Sequence, residues 1–147
     1  MQLTVRRLKA EELGEIRSWH NDAELARRLT YPTDEWYAAV SAEGQQCWVA
    51  VDALGIIVAK MQVDRDGDVG YIDLAVKPEL RGRGVGFAAL AAFMTGPGRQ
   101  YSVIEGRIEP DNAASIACVQ KCGFRLLDEL DDDGLIIARR HREPPVA

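Results

Sequence analysis

Residues 74–90 read LAVKPELRGRGVGFAAL, and this stretch decides the fold. Arg81, Gly84 and Gly86 follow the spacing R-x-x-G-x-G, between a strand-like run and a segment with apolar residues at helical spacing. The first backbone amides of a helix have no internal partners, and the helix dipole adds positive potential there. Glycines let a ligand approach the backbone, and Arg81 and Arg83 supply charge-assisted donors. The stretch therefore predicts an anion site, for which a diphosphate is the natural ligand.

Other glycine-rich ligand loops fit this stretch less well. A dinucleotide-binding fold needs G-x-G-x-x-G and an acidic residue about 20 positions later. The spacing here is G-x-G-x-G, and Gly106 stands near the place of that acid. A P-loop needs Gly-Lys-Ser/Thr after a four-residue spacer, which the stretch lacks. A plain glycine-rich turn before a core helix is the structural alternative, and the diphosphate of coenzyme A (CoA) is the ligand that fits best.

Strand-like and helix-like segments surround the loop in a mixed order. The runs 47–51, 56–63 and 69–76 are separated by short turns, which predicts an antiparallel meander and excludes a doubly wound sheet. Either Asn21 or Asp22 is expected to cap one helix, and Thr33 the next. The sequence thus predicts an α+β fold with a mixed, mostly antiparallel central sheet flanked by helices on both faces. Further strands are expected at 3–8, 101–108, 124–130 and 135–141, and a further helix at 112–121.

Composition narrows the classes of function. The 147 residues carry a formal net charge of -5, and 47% are hydrophobic, which predicts a single domain over 1–142 and a disordered tail at 143–147. An acidic chain has no general electrostatic reason to bind nucleic acid. The longest mostly apolar stretch, 85–97, is too short to span a membrane, and no signal peptide is seen, so we expect no membrane partner and a cytoplasmic location. The cysteines and histidines lack metal-ligand spacing, so no metal is expected.

Two motifs together resemble the GNAT superfamily of acetyl-CoA-dependent N-acetyltransferases. YIDLAVKPELRGRGVG (71–86) is similar to the family's fourth strand and pyrophosphate loop. IEPDNAASIACVQKCGF (108–124) is similar to its N-x-x-S/A…G-F segment, and the two motifs occur in the family's order. The resemblance in element order extends from 3 to 141. It implies direct transfer of an acetyl group from acetyl-CoA, the cosubstrate, to a primary amine in a ternary complex.

The resemblance also implies which residues hold the cofactor. In the family the fourth strand splays from the fifth, and the pantetheine arm lies in the gap. Asn112 would bind this arm or act only as a helix cap, and Ser115 would lie near the sulfur or bind its own backbone. The backbone partners of the arm would be Leu74, Ala75 and Val76. The residues implied to cradle the pyrophosphate are Arg81, Gly82, Arg83, Gly84, Val85 and Gly86.

The acceptor amine has an implied location as well. Trp19, Tyr31 and Trp36 lie in the helical segment that lines the acceptor pocket in relatives, although Trp19 and Trp36 at helical spacing are also typical of a core. Asp22 is expected as a helix cap or as a contact for a cationic acceptor at the pocket rim. The acceptor is a small-molecule or peptide amine that the motifs do not specify, and a homodimer is a further partner that the family allows.

Amide formation also requires a base, because an alkylamine is protonated near neutral pH. Glu105, Asp73 and Glu109 are the candidates, and each has the alternative of a solvated or arginine-paired carboxylate. The positions where relatives carry a strand-four acid are Gly70 and Ile72 here, and neither side chain can act. Asp73 is therefore expected to serve only if a β-bulge turns it inward.

The leaving thiolate needs a proton donor. Relatives often carry a tyrosine seven residues after the motif asparagine, and Val119 occupies that position here. Ser115 and Cys118 are the nearby alternatives. These departures leave open a second interpretation, a CoA-binding regulatory module that has lost catalysis. A partner-binding domain without CoA is the third.

Overall fold

A seven-stranded sheet forms the centre of the computed structural model, which describes residues 1–42 and 45–142. The strands are β1 (Thr4–Arg7), β2 (Gln45–Val51), β3 (Ile57–Asp66), β4 (Val69–Val76), β5 (Val103–Ile108), β6 (Arg125–Leu126) and β7 (Ile136–His141). Their order is β1-β2-β3-β4-β5-β7-β6, and β4 with β5 is the parallel pair. The predicted mixed, mostly antiparallel sheet is confirmed. The tail 143–147, expected to be disordered, lies outside the described residues.

Helices lie on both faces of the sheet, as predicted. Those of the described chain are α1 (Leu13–Ser18), α2 (Ala23–Arg28), α3 (Asp34–Ser41), α4 (Val85–Thr95) and α5 (Ala113–Lys121). Of the two cap candidates for α2, Asp22 fills the role, because its Oδ2 accepts from the Leu25 amide at 3.0 Å. Thr33 Oγ1 accepts from the Trp36 amide at 3.1 Å, as predicted. Within the described residues, no helix is both long and apolar enough to cross a membrane.

Two apolar layers hold these helices against the sheet. Alternation along each strand sends successive side chains to opposite faces. Met61, Ile104 and their neighbours on one face pack against α4, whose Phe93 is fully buried. Val49 and Ala75 on the other face pack with residues of α1 and α2. The sheet thus separates two compartments, one under α4 and α5 and one under α1 to α3.

The two parallel strands separate partway along their length. Val69, Gly70 and Tyr71 pair with Val103, Ile104 and Glu105, and the ladder between β4 and β5 stops there. The remainder of β4 stays paired with β3, and the remainder of β5 stays paired with β7. The backbone edge of β4 over 72–76 therefore faces a gap, as the resemblance implied.

The last hairpin is less regular than predicted. The run 124–130 was expected as a strand, but β6 contains two residues, Arg125 and Leu126. The Leu127 amide still donates to the Ile137 carbonyl at 2.9 Å, and the chain then bends over 128–129. The turn expected at 131–134 is present, and the Asp131 carboxylate accepts from the amides of Asp133 and Leu135 within it.

Candidate active site

A cleft of about 770 Å³ opens where β4 and β5 separate. The edge of β4 over 72–76 forms its base, and residues of α4 and α5 form its walls. Residues of α2 line the side toward the N-terminal helices. The predicted cofactor contacts that line this cleft are Leu74, Ala75, Val76, Arg81, Gly82, Gly84, Val85, Gly86, Asn112 and Ser115.

The glycine loop has the geometry of an anion cradle. Gly82 and Gly84 have φ of 75° and 78°, a backbone region that residues with a Cβ rarely adopt. Gly84 is the N-cap of α4, whose first backbone bond runs from the Ala88 amide to the Gly84 carbonyl at 3.1 Å. The amides before Ala88 therefore have no partner within the helix. A Cβ at Gly84 would meet nothing within 4 Å, so this side of the loop is open to a ligand.

The two loop arginines have different surroundings. Arg81 lines the cleft, and its Nη2 donates to Asp22 Oδ2 at 2.7 Å. This contact holds the pKa of Asp22 below its ordinary value. Arg83 is exposed and lines a separate shallow depression beside Leu3, on the other side of the first turn of α4. The structure thus brings Arg81 to the cleft and leaves Arg83 outside it.

The start of α5 supplies a second polar wall. Asn112 Oδ1 accepts from the Ser115 amide at 3.3 Å, so Asn112 is the cap of α5. Its amide nitrogen makes no hydrogen bond within the described residues, and Asn112 lines the cleft. One side chain can therefore cap the helix through its oxygen and bind a ligand carbonyl through its nitrogen.

Asp73 reaches the cleft without a bulge, so the expectation that a bulge is needed was wrong. Its register is regular: Asp73 lies opposite Gln62, within a continuous ladder between β3 and β4. The carboxylate lines the cleft because β5 has already left β4 at this level. A Cβ at Gly70 would lie 3.0 Å from the ring of Tyr101 and 3.0 Å from the Val63 side chain, so a larger residue there requires these side chains to shift.

The surroundings of Asp73 raise the pKa of its carboxyl, which makes the carboxylate a stronger base than an ordinary aspartate. Asp73 is an exposed residue of β4 that opens into the cleft, and the neighbouring protein only partly desolvates its carboxyl. This desolvation raises the pKa of Asp73 above its ordinary value, and the nearby charge of Asp64 raises it further. The ammonium of Lys60 acts in the opposite direction. A raised pKa brings a carboxylate closer to the range in which proton transfer from an amine is efficient.

Lys60 is a buried cation that the sequence interpretation missed. The residue is 5% exposed, and its Nζ lies 4.9 Å from the centroid of the Trp36 ring. Within 1–42 and 45–142 it has no ion pair, and burial lowers its pKa. Trp36 Nε1 also donates to Gln62 Oε1 at 2.9 Å. Period-two spacing of Lys60 and Gln62 in a strand was the available signal, because it places both on the face that carries Asp73.

The two other candidate bases are engaged by arginines. Glu105 is 5% exposed, and its Oε1 accepts from Arg139 Nη2 at 2.8 Å, with Arg107 Nη1 at 3.6 Å. It does not line the cleft. Glu109 does, but its Oε1 lies 3.2 Å from Arg28 Nη1. The structure therefore leaves Asp73 as the candidate at the cleft whose carboxylate has no arginine partner among the described residues.

The predicted acceptor residues lie outside the cleft in the described part of the chain. Trp19 is 2% exposed and donates to Glu15 Oε1 at 3.2 Å, so it belongs to the core of the N-terminal helices. Tyr31 is exposed, with its ring centroid 5.3 Å from that of His20. Trp36 is half-buried, with its ring beside Lys60 and its Nε1 bound to Gln62, both on β3. An acceptor bound in the cleft would therefore reach Tyr31 or Trp36 only if it extended past the residues that line the cleft.

Other side chains take the place of those residues. The side of the cleft that faces the N-terminal helices is lined by Leu25 and Leu29 from α2 and the residue after it, and by Arg107 from β5. Arg28 joins them, held by Glu24 Oε1 at 2.6 Å. The i, i+4 spacing of Glu24 and Arg28 predicts their pairing, but nothing local places them beside β5.

The wall opposite the β4 edge carries the side chains around the expected thiol position. Ser115, Cys118 and Val119 all line the cleft. Interaction with the Cys122 thiol, together with burial, raises the pKa of Cys118, which makes it a poor nucleophile near neutral pH. In the described chain, no group of three or more His, Cys, Asp or Glu residues has the arrangement of a metal site.

Comparison with known proteins assigns the family. Residues 13–124 match the model of the acetyltransferase (GNAT) family. An N-acetyltransferase of Bacillus subtilis (strain 168), YfmK, whose function is uncharacterized, is 34% identical over 140 residues, which cover 88% of this chain and 90% of YfmK. The chain belongs to the GNAT family and is an acetyltransferase.

Solved structures share the fold. The aminoglycoside acetyltransferase AAC(6')-Ib in complex with coenzyme A and kanamycin has a TM-score of 0.82 at 19% identity, covering 96% of this chain and 95% of that one. The putative acetyltransferase yncA from Salmonella typhimurium, solved with acetyl-CoA, has a TM-score of 0.76 at 21% identity, covering 99% and 96%.

Proposed function

We propose that the protein transfers an acetyl group from acetyl-CoA to a primary amine by direct attack in a ternary complex. The observation that carries this proposal is the gap between β4 and β5, which has an anion cradle at its α4 side and a carboxylate, Asp73, at its base. The family assignment and the CoA-bound relatives support the same cosubstrate.

The cleft residues fit each part of acetyl-CoA. The diphosphate would accept from the free amides at the start of α4 and from Arg81. The pantetheine amides would bind the free edge of β4 between Leu74 and Val76 as an added strand does, with Asn112 binding from the opposite wall. A backbone amide of β4 would then lie near the thioester oxygen, where a donor stabilises the oxyanion of the tetrahedral intermediate.

Asp73 would supply the base. An alkylammonium must lose a proton before its nitrogen can attack the thioester. Asp73 lies on the sheet face shared with α1 to α3, so we place the acceptor on that side of the gap and the pantetheine on the α4 and α5 side. Amine nitrogen and thioester then meet in the gap, and the proton passes to the Asp73 carboxylate directly or through a water.

Direct transfer also agrees with the chemistry of the thiols. An acyl-enzyme needs a reactive cysteine at the cleft. Burial raises the pKa of Cys47 to about 12, and Cys118, which does line the cleft, has a raised pKa as well. Cys122 has a lowered pKa but does not line the cleft. We therefore propose no covalent intermediate.

The acceptor class is a small-molecule or peptide amine. AAC(6')-Ib, a relative in fold, is described as an aminoglycoside acetyltransferase bound to kanamycin. An acceptor of this protein would pass Leu25 and Leu29 on its way to Asp73, so an amine on a partly apolar carrier fits the wall.

The proposal is tested in two stages. Calorimetry with CoA measures binding, and a thiol-detecting assay with acetyl-CoA and a panel of aminoglycosides, polyamines, amino acids and peptides measures transfer. We expect CoA binding in the micromolar range and thiol release that depends on one class of amine. Binding without release across the panel would favour the regulatory-module interpretation, and failure to bind CoA would exclude both.

A further inference from the structure

An ion pair joins the anion cradle to the helix beside it. Arg81 Nη2 lies 2.7 Å from Asp22 Oδ2, and the side chains of Arg81 and Asp22 are 43% and 30% exposed. Arg81 belongs to the loop before α4 and lines the cleft, whereas Asp22 is the cap of α2 and does not line it. The guanidinium that the proposed diphosphate needs is therefore already bound to a carboxylate of the same chain.

The carboxylate is fixed beside the loop. The oxygen that binds Arg81 also accepts from the Leu25 amide at 3.0 Å, which caps α2. At the other end of α2, Arg28 Nη1 lies 3.2 Å from Glu109 Oε1 and 3.3 Å from Asp111 Oδ1, so the helix is tied to the loop after β5. The helix is thus held to the loop after β5 through Arg28 and to the loop before α4 through Asp22 itself.

We propose that Asp22 competes with the cofactor's diphosphate for Arg81 and thereby lowers the affinity of the protein for the cofactor. This inference rests on the proposed function, because it assumes a diphosphate in the cradle. When the diphosphate takes the guanidinium, Asp22 loses its counterion and stands as a negative charge near a second negative charge. Both effects oppose binding, and both disappear with the charge of Asp22.

Asp22→Asn tests the competition without removing the helix cap. Asparagine caps helices as well as aspartate does, so α2 keeps its first hydrogen bond and loses only the charge. Calorimetry of the parent and of Asp22→Asn with CoA and with pantetheine, which has no diphosphate, separates the cradle from the rest of the site. We expect CoA to bind about two- to five-fold more tightly to Asp22→Asn, the range that the usual strength of an exposed ion pair allows, and pantetheine to bind both proteins equally.

Asp34→Asn is the matched control. Asp34 also lies at the start of a helix and pairs with an arginine at 2.7 Å, but it is 87% exposed and lies outside the cleft. We expect its CoA affinity to equal that of the parent. Asp22→Ser, which retains a capping side chain, should reproduce the gain of Asp22→Asn.

Any result other than tighter binding of CoA alone by Asp22→Asn overturns the inference. Equal or weaker CoA binding by Asp22→Asn, with an unchanged melting temperature, would mean that Asp22 positions Arg81 for the diphosphate or has no role. A gain for pantetheine as large as that for CoA would place the effect outside the cradle. If the parent itself fails to bind CoA, the proposed function fails, and this result is distinct from a parent that binds CoA beside a variant that gains nothing.

Discussion

Tyr71 and Glu105 are the last pair of residues at which β4 and β5 run side by side. Beyond them each strand keeps its outer neighbour, so the gap has rigid edges. Asp73 is two residues past Tyr71 and so lies at the base of this gap on the same face. The position of the separation therefore decides which carboxylate faces the cleft.

Gly84 provides the most direct test of the cradle. Gly84→Asp places a negative charge where the diphosphate is proposed to lie, and Gly84→Asn is its neutral counterpart. Asparagine and aspartate are the residues that best tolerate the left-handed backbone, so the two variants carry a similar strain at φ 78°. We expect Gly84→Asp to bind CoA at least about tenfold more weakly than Gly84→Asn, a difference of about 1.4 kcal/mol. Equal affinities by calorimetry would place the anion elsewhere.

Asn112 separates capping from ligand binding. Asn112→Asp retains the oxygen that caps α5 and loses the amide donor, whereas Asn112→Ala loses both. We expect Asn112→Asp to weaken CoA binding while the free energy of unfolding stays near that of the parent. Asn112→Ala should weaken binding and also cost about 1 kcal/mol of stability, the usual value of a cap. If Asn112→Asp binds CoA normally, Asn112 is a cap alone.

Asp73 is expected to link activity to pH. Asp73→Asn should lower turnover by about 10² or more, the usual contribution of a general base. In the parent, turnover should fall as the pH drops through the raised pKa of Asp73. Asp64 contributes to that raised pKa, so Asp64→Asn should retain turnover and move this acid limb to lower pH. If the acid limb of the pH–turnover profile lies at the same pH in both variants as in the parent, a group other than Asp73 controls it.

The same shift predicts the sign of a stability change. The folded state binds a proton on Asp73 more tightly than the unfolded chain, so stability falls as pH rises from the ordinary pKa of an aspartate, about 4, through the raised one. Asp73→Asn removes this fall. We therefore expect a higher urea midpoint for Asp73→Asn than for the parent at neutral pH, and similar midpoints near pH 4. A lower midpoint at neutral pH would show that the carboxylate stabilises the fold.

Lys60 should behave as a buried cation that costs stability. Its pKa is lowered in the folded protein, so stability should rise with pH between that pKa and the ordinary value of about 10.4. Lys60→Met, similar in length and uncharged, should be more stable than the parent at neutral pH and should lose this rise. Urea unfolding at pH 7 and pH 10 measures both. A less stable Lys60→Met would mean that the contact with Trp36 outweighs the burial of charge.

Ser115 is the expected donor for the leaving thiolate. We expect Ser115→Ala to lower turnover about tenfold, or about 1.4 kcal/mol, in an assay in which chemistry limits the rate. Cys118→Ala should have a smaller effect, because a thiol is a weak donor. Val119→Tyr, which restores the residue of relatives at the cleft wall, should be tolerated or activating. Unchanged turnover in Ser115→Ala would leave Ser115 as a residue of the helix start.

Local spacing determined much of this protein. Gly82, Gly84 and Gly86 beside Arg81 define the anion cradle, because backbone conformation and helix-end amides depend on neighbours in sequence. Asp22 and Asn112 cap their helices for the same reason. The short turns between three β-branched runs likewise predicted that β2, β3 and β4 lie side by side as an antiparallel meander. These features follow from the chemistry of a few consecutive residues.

Long-range pairing decided the rest. The end of the ladder at Tyr71 and Glu105 exposes Asp73, and no spacing within β4 reveals it. Arg139 neutralises Glu105 from 34 positions away, and Arg81 meets Asp22 across 59 positions. Charges so far apart in the chain become partners only when the sheet brings their strands and loops together. The sequence by itself therefore determined the fold and the cradle, whereas the tertiary structure decided which charges remain free to act.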